Sequence, residues 1–251
     1  MMDMTPERAE RYDRQLGLPG FGERGQQLLA DASVLVIGAG GLGSPAIRYL
    51  AGAGVGRIGI VDSDIIDLSN LHRQTLYTMA DIGCAKADVA AAVVRAVNPD
   101  VAVEPLVSCL DEACVEAVIA GWGVVIDASD TFATRYVVSD ACWRAGIPVI
   151  EAGIGGYFGQ IMTIVPGPDA ACYRCVFPEA PAGDPSGRRL PVLGPVAGTI
   201  GCMQAIEAIK LAIGYGDTLA GRLMFGDFST FDLSVGEVSK RPDCTGCGDA
   251  G

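Results

Sequence analysis

Gly38, Gly40 and Gly43 fall in the spacing G-x-G-x-x-G at the end of the apolar run 34–37. This arrangement can cradle phosphate: the first glycine permits a tight turn, the second lets backbone approach the phosphate, and the third lets the next helix pack closely on the strand. Phosphate would lie at the helix N-terminus, where free N–H groups and the helix dipole favour negative charge. Asp62 follows at close to the ~20-residue spacing at which an acidic side chain meets a ribose hydroxyl. Dinucleotides use the same glycines, but Asn70, Arg73, Gln74 and Lys86 then add more positive and amide character than a pyrophosphate needs. Arginine offers a planar fork to phosphate oxygens and lysine a mobile point charge, so Arg73 and Lys86 suit the β and γ phosphates of a triphosphate. Gly41 would let the backbone pass close to the α phosphate.

A second constellation is built of sulfur. Cys172 and Cys175 form one C-x-x-C pair, and Cys244 and Cys247 another. Two such turns supply the four thiolates of a tetrahedral zinc site, which here would clip two distant segments together. The rival reading is redox chemistry, for which one pair would serve. Cys84, Cys109, Cys114, Cys142 and Cys202 lie on apolar or helical stretches, and their expected place is as small residues in the core.

Positioning these groups requires a sizeable α/β core, and 251 residues with 50 % hydrophobic composition and 34 glycines are enough for one large domain. The chain reads as a single unit, 1–251: a helical segment 1–33, a nucleotide-binding half 34–147 and a second half 148–251 with a Pro- and Gly-rich crossover loop at 178–195. Residues 6–30 read as helical, with Arg11 and Arg14 on one face. Strands are expected at 34–37, 57–61, 101–106 and 124–127, the last buried on both faces, with helices starting at Ser44-Pro45 and at Lys86. Asp130 comes just past the carboxyl end of a strand, where ligands bind in open α/β sheets. Beyond Pro148, two strands joined near Gly155-Gly156 and a hairpin at 221–237 flank a helix at 197–213. The fold expected is therefore a Rossmann-like, mainly parallel sheet with helices on both faces, extended by antiparallel strands in its C-terminal half.

A net charge of −12 offers no general basic surface to nucleic acid or to an anionic membrane. The polar N-terminus and the lack of an 18-residue uninterrupted apolar run lead to the expectation of a cytoplasmic protein with no membrane partner.

The segments RYDRQLGLPGFGERGQQLL, SNLHRQ and DIGCAKA, in that order, resemble the MoeB/ThiF-type family of adenylyltransferases, which activate ubiquitin-like sulfur-carrier proteins. The resemblance covers residues 11–247. It implies ATP-dependent adenylation of the C-terminal glycine of a small β-grasp carrier ending in Gly-Gly, with release of pyrophosphate, in sulfur transfer of the molybdopterin or thiamine type. Such a reaction sets one anion against another, so its demand is charge neutralisation and alignment. On that logic Arg73 and Lys86 hold phosphates, Asp62 holds the ribose, and Asp130 coordinates the magnesium that bridges phosphate oxygens. The resemblance assigns the same roles, adds Asn70 and Gln74 as polar contacts near the phosphates, implies the Cys₄ zinc site, and implies that 148–251 is the carrier-binding half. It also implies a homodimer in which Arg14 reaches the partner's ATP site.

Each residue has a plainer reading: Arg73 and Lys86 as solvated charges, Arg14 as a helix-face arginine beside Arg11, Asp130 as the N-cap of the helix after Thr131, Asp62 as a turn residue. His72, the single histidine, is read as structural, because a carboxylic acid of pKa ~4 is already ionised at neutral pH. Some relatives carry a cysteine in the crossover loop that can join the activated carrier. The stretch 178–195 contains none, so no thioester or acyl-disulfide step is expected there. With no rhodanese domain before Gly251, a separate sulfurtransferase is the expected sulfur donor. The alternatives are a tRNA-modifying dehydratase of the same superfamily, a non-catalytic carrier-binding scaffold and, weakest, a dehydrogenase.

Overall fold

The computed structural model describes residues 4–179 and 191–248; residues 180–190 of the crossover loop lie outside the described part. The chain opens with two helices, α1 (Pro6–Leu16) and α2 (Gly22–Asp31), where the sequence reads as one. Pro19 and Gly20 break it. Gly20 has φ +77°, and a Cβ there would run into the ring of Tyr215. At the start of α1 the Thr5 hydroxyl accepts from the Arg8 N–H at 3.4 Å, with Pro6 in the first turn, where its missing N–H costs nothing.

The nucleotide half supplies β1 (Ser33–Ile37), α3 (Gly43–Ala53), β2 (Arg57–Val61), α4 (Lys86–Val97), β3 (Ala102–Leu106), α5 (Val115–Ile119), β4 (Val124–Asp127) and α6 (Phe132–Ala145). The second half adds β5 (Val149–Gly155), β6 (Phe158–Ile164), α7 (Tyr173–Val176), α8 (Gly194–Ile213), β7 (Arg222–Asp227) and β8 (Asp232–Glu237). All eight strands form one sheet in the order β3-β2-β1-β4-β5-β6-β7-β8. The pairs from β3 to β5 are parallel and those from β5 to β8 antiparallel, so the expected mixed sheet is present.

Successive residues of a strand face opposite sides, which is why the central strands are apolar throughout. Val34 and Val36 join a core with α2, α3, α4 and α8; Leu35 and Ile37 join a second core with α5, α6 and Tyr173 of α7. Helix α8 is long and apolar enough, by length and composition, to cross a membrane. Here it packs against α3 and the sheet, where Gln204 donates to the carbonyls of Asp127 (2.8 Å) and Ile150 (3.2 Å). Its buried Glu207 pairs with Lys210.

The spare cysteines depart from expectation. Of the five, Cys142 is buried, Cys114 and Cys202 are partly covered, and Cys84 and Cys109 are exposed. Cys84 sits in the turn before α4, and Cys109 and Cys114 in the stretch after edge strand β3.

Candidate functional site

From β1 the chain moves outward to β2 and β3, then crosses back to β4 on the other side of β1. The loops after β1 and β4 therefore diverge, and a crevice forms at the carboxyl ends of the strands. Gly38 opens the first loop with φ +93°, and a Cβ there would lie 2.7 Å from the Ala128 carbonyl oxygen. The glycine turn thus rests directly on the loop that carries Ser129 and Asp130. A Cβ at Gly43 would strike the Gly38 carbonyl oxygen, so only glycine lets α3 start so close to the strand.

Asp62, at the end of β2, accepts the Ala39 N–H through Oδ2 and the Asp64 N–H through Oδ1, each at 2.8 Å. Burial pushes its carboxyl above the ordinary aspartate value, although these N–H groups and Lys86 pull it down. It therefore braces the turn, and its remaining lone pairs are available to a sugar hydroxyl. Lys86, buried at the first turn of α4, places Nζ 2.7 Å from Asp64 Oδ2. These two line a cleft of about 440 Å³ with Ile65, Asp67, Ser69 and Asn70. Tyr77 ties the turn to α4: its hydroxyl donates to the Ala39 carbonyl at 2.8 Å and lies 3.4 Å from that of Lys86.

Asn70 is buried and accepts the Asp67 N–H at 3.0 Å, closing a one-turn helix over Leu68–Asn70. Gln74 is buried too. Its amide nitrogen stands 3.7 Å from where a Gly40 Cβ would be, and its amide oxygen has no partner among the described residues. Arg73 lies over Gly41, where a Cβ would meet the arginine stem at 3.5 Å and the Ala197 methyl at 3.2 Å. Arg73 and α8 thus pack closely on the turn at Gly41. The Arg73 guanidinium donates to the Ser69 carbonyl at 3.0 Å and meets the His72 ring at 2.8 Å, a structural place for that histidine.

Asp130 is exposed, and its carboxylate has no hydrogen-bonding or ionic partner among the described residues. The capping alternative for it fails: Thr131 is the N-cap of α6, its hydroxyl accepting the Thr134 N–H at 3.2 Å. An unpartnered carboxylate beside the glycine turn is a fitting donor for a hard dication held on phosphate. One sequence-identified residue is not brought here. Arg14 lies on α1, which is fastened by Tyr12 to Asn98 (2.9 Å), by Arg11 to the Val97 carbonyl (2.8 Å) and by Arg8 to Asp100 (2.9 Å). Those anchors precede β3, at the amino ends of the parallel strands, opposite the crevice. Arg14 is exposed and unpaired among the described residues.

The four paired cysteines converge. Cys172 and Cys244 have sulfurs 3.5 Å apart, Cys175 and Cys247 3.4 Å, and Cys172 and Cys175 4.0 Å. Four thiolates at the ~2.3 Å Zn–S distance of a tetrahedral site have sulfurs about 3.8 Å apart, so the donor set fits zinc. Backbone N–H groups of Arg241 and Gly246 point at the Cys175 and Cys244 sulfurs, each at 3.4 Å. Arg174, inside the first pair, clasps Asp140 of α6 with contacts of 2.8 and 3.0 Å.

Sequence reasoning missed Asp64, Tyr77, Arg135 and Glu151. Asp64 stood three residues past an identified strand end, but its pairing with Lys86 depends on how the 62–86 excursion folds back. Glu151 was an acid inside the apolar run VIEAG, a legible anomaly that went unused.

A family model described as the ThiF family matches residues 12–246. The SAMP-activating enzyme E1 of Haloferax volcanii is 46 % identical over 244 residues, covering 96 % of this chain and 90 % of that protein. The sulfur carrier protein adenylyltransferase of Thermus thermophilus is 41 % identical over 254 residues, covering 99 % and 94 %. The adenylyltransferase and sulfurtransferase MOCS3 of Bos taurus is 44 % identical over 253 residues, and this chain spans 54 % of its length. Among solved structures, E. coli MccB superposes with a TM-score of 0.86 at 23 % identity over 95 % of this chain and 72 % of that one, a likeness of fold.

Proposed function

The chain belongs to the ThiF family, and from that membership and the geometry of its crevice we propose that it adenylates the C-terminal glycine carboxylate of a ubiquitin-like sulfur carrier. The reading rests on one observation: the turn at 38–43, Asp62, Arg73, Lys86 and the 128–130 loop meet at the switch point of the sheet. ATP is the co-substrate. A carrier carboxylate oxygen bonds to the α phosphorus, the bond to the bridging α–β oxygen breaks, and pyrophosphate leaves with the electron pair. Arg73 and Lys86 bind phosphate oxygens, so Lys86 exchanges its ion pair with Asp64 for the triphosphate. Asp62 holds the ribose, while the glycine turn and the N–H groups at the start of α3 take the phosphates. Asn70 and Gln74 shape the floor. Asp130 would hold magnesium, which supplies neutralising charge to the phosphates.

The carrier-binding role belongs to the second half, supported by the exposed apolar side chains of the antiparallel extension, where Phe158 and Phe225 stack at 5.8 Å on one face of the sheet and Leu233 and Val235 are exposed on the other. Zinc on Cys172, Cys175, Cys244 and Cys247 is structural, since four thiolates leave no open position. The protein works as a homodimer with Arg14 reaching the partner's crevice, a reading supported by the remoteness of Arg14 from its own. Sulfur delivery falls to a sulfurtransferase, the second activity named for the MOCS3 relatives.

The test is exchange of labelled pyrophosphate into ATP in the presence of a β-grasp carrier ending in Gly-Gly. Exchange should require the carrier's terminal glycine. Exchange that persists with a carrier shortened by that residue, or that responds to tRNA instead, overturns the reading.

A further inference from the structure

Behind the 128–130 loop lies a buried ionic cluster that the chemistry above does not use. Asp127 and Glu151 are register partners on β4 and β5, and both are buried. Arg135, on the first turns of α6, is buried against them and carries the cluster's positive charge. Room for its guanidinium is left by Gly153, whose Cβ would stand 3.0 Å from Nη1.

Two hydrogen bonds lead from this cluster to the site. Asp127 Oδ1 accepts the Ser129 N–H at 2.8 Å, and Arg135 Nη2 donates to the Ser129 carbonyl at 3.1 Å. Ser129 is therefore held by both its backbone polar groups, and the residue joined to its fixed carbonyl is Asp130. Among the described residues the Asp130 side chain has no hydrogen-bonding or ionic partner to orient it, so its location is set through this peptide. Beside Arg135 a pocket of about 10 Å³, lined by Arg135, Glu151, Gln160 and Tyr173, has room for one water. Around it the Arg135 Nε, both Glu151 oxygens and the Tyr173 hydroxyl lack partners among the described residues, the set a bridging water would satisfy.

We infer that Arg135, buried beside Asp127 and Glu151, is a positioning residue that fixes the Ser129–Asp130 peptide and so aims the Asp130 carboxylate into the crevice. The inference rests on the reading of Asp130 as the magnesium ligand. A purely structural arginine would affect stability and nucleotide binding alike; a positioning residue affects the part of ATP binding that magnesium adds.

Binding of labelled ATP to the full-length protein, measured by equilibrium dialysis across a magnesium titration and in EDTA, separates these. Arg135→Lys keeps the charge but loses the fork. It should leave ATP binding in EDTA near wild type and raise the half-saturating magnesium concentration about tenfold, the scale of a sub-ångström to ångström misplacement. Asp130→Ala, run in parallel, should abolish the magnesium dependence. If Asp130→Ala loses that dependence while folded Arg135→Lys keeps the wild-type half-saturation, the positioning role is overturned and the metal role stands. Should Asp130→Ala keep it, the metal role falls and takes the positioning role with it. If Arg135→Lys does not fold, Asp127→Asn keeps the acceptor for Ser129 and weakens only the hold on Arg135; a magnesium shift of about threefold is then expected, and no shift overturns the inference.

Discussion

Asp130 and Glu151 are both acidic, and their surroundings give them opposite tasks. Asp130 is exposed at the mouth of the crevice, so its replacement by alanine should spare the melting temperature. Pyrophosphate exchange should fall at least ~10²-fold, the cost of losing one electrostatic stabiliser; near-normal exchange by folded Asp130→Ala would remove it from the metal site. Glu151 is sealed inside, where burial and the neighbouring Asp127 push its carboxyl well above the ordinary value of 4.5, against the pull of Arg135. Tyr173 and Cys142 also face it. Between its unfolded and folded values the native state holds a proton that the unfolded chain has released, so stability falls as pH rises through that window. Glu151→Gln removes the ionisation and should flatten the decline by up to about 1.4 kcal/mol per pH unit. Urea unfolding at successive pH values above 4.5 measures it, and parallel slopes for the two proteins would contradict the assignment.

The turn between β1 and α3 depends on glycine for two separate reasons, positive φ at Gly38 and close approach at Gly38 and Gly43. Gly38→Ala should cost at least about 1–2 kcal/mol for the left-handed backbone alone. Its methyl also meets the Ala128 carbonyl, so ATP affinity should fall more than stability does. Equal ATP affinity in the folded variant would show that the turn and the 128–130 loop move independently. This much was legible in sequence, because a glycine signature encodes local backbone geometry. So were most strands, whose apolar runs reflect burial on both faces, and the β5–β6 hairpin at Gly155-Gly156. The break at Pro19-Gly20 was signalled but overridden by the helical periodicity on either side. The exposure of Cys84 and Cys109 was not legible, since it depends on which layers cover the edge of the sheet. Nor was the Asp127, Arg135 and Glu151 cluster, which exists only once β4 and β5 adopt their register and α6 folds over them. Sequence spacing pointed to Arg73, Lys86 and Asp62, but the partners that hold them, Asp64 and Tyr77, come from a fold-back it does not encode.

At the scale of the whole molecule, α1 and the crevice lie at opposite ends of the sheet, so a shared site requires two chains. In the proposed homodimer, Arg14→Ala and Arg73→Ala proteins should each be nearly inactive. Subunit exchange between them should restore up to about a quarter of wild-type activity, because half the dimers are mixed and one of two sites in each is intact under two-fold symmetry. Verified exchange without recovery would confine Arg14 to its own subunit or exclude it from the reaction. The sulfur cluster has a reach of the same order: Cys172 and Cys244 are 72 residues apart, and the chain between them includes α8, β7 and β8. An ion bound there favours the folded arrangement, so its contribution follows mass action and not a fixed bond strength. Once the site is saturated, each tenfold rise in free zinc should add about 1.4 kcal/mol to stability, less whatever the unfolded thiols bind. Melting temperatures measured in zinc buffers should climb with the logarithm of free metal, and Cys244→Ser should not. The carrier-facing half of the sheet would then be only as persistent as the surrounding zinc supply, and scarcity of the metal would act on the enzyme's lifetime while leaving each surviving molecule's turnover intact.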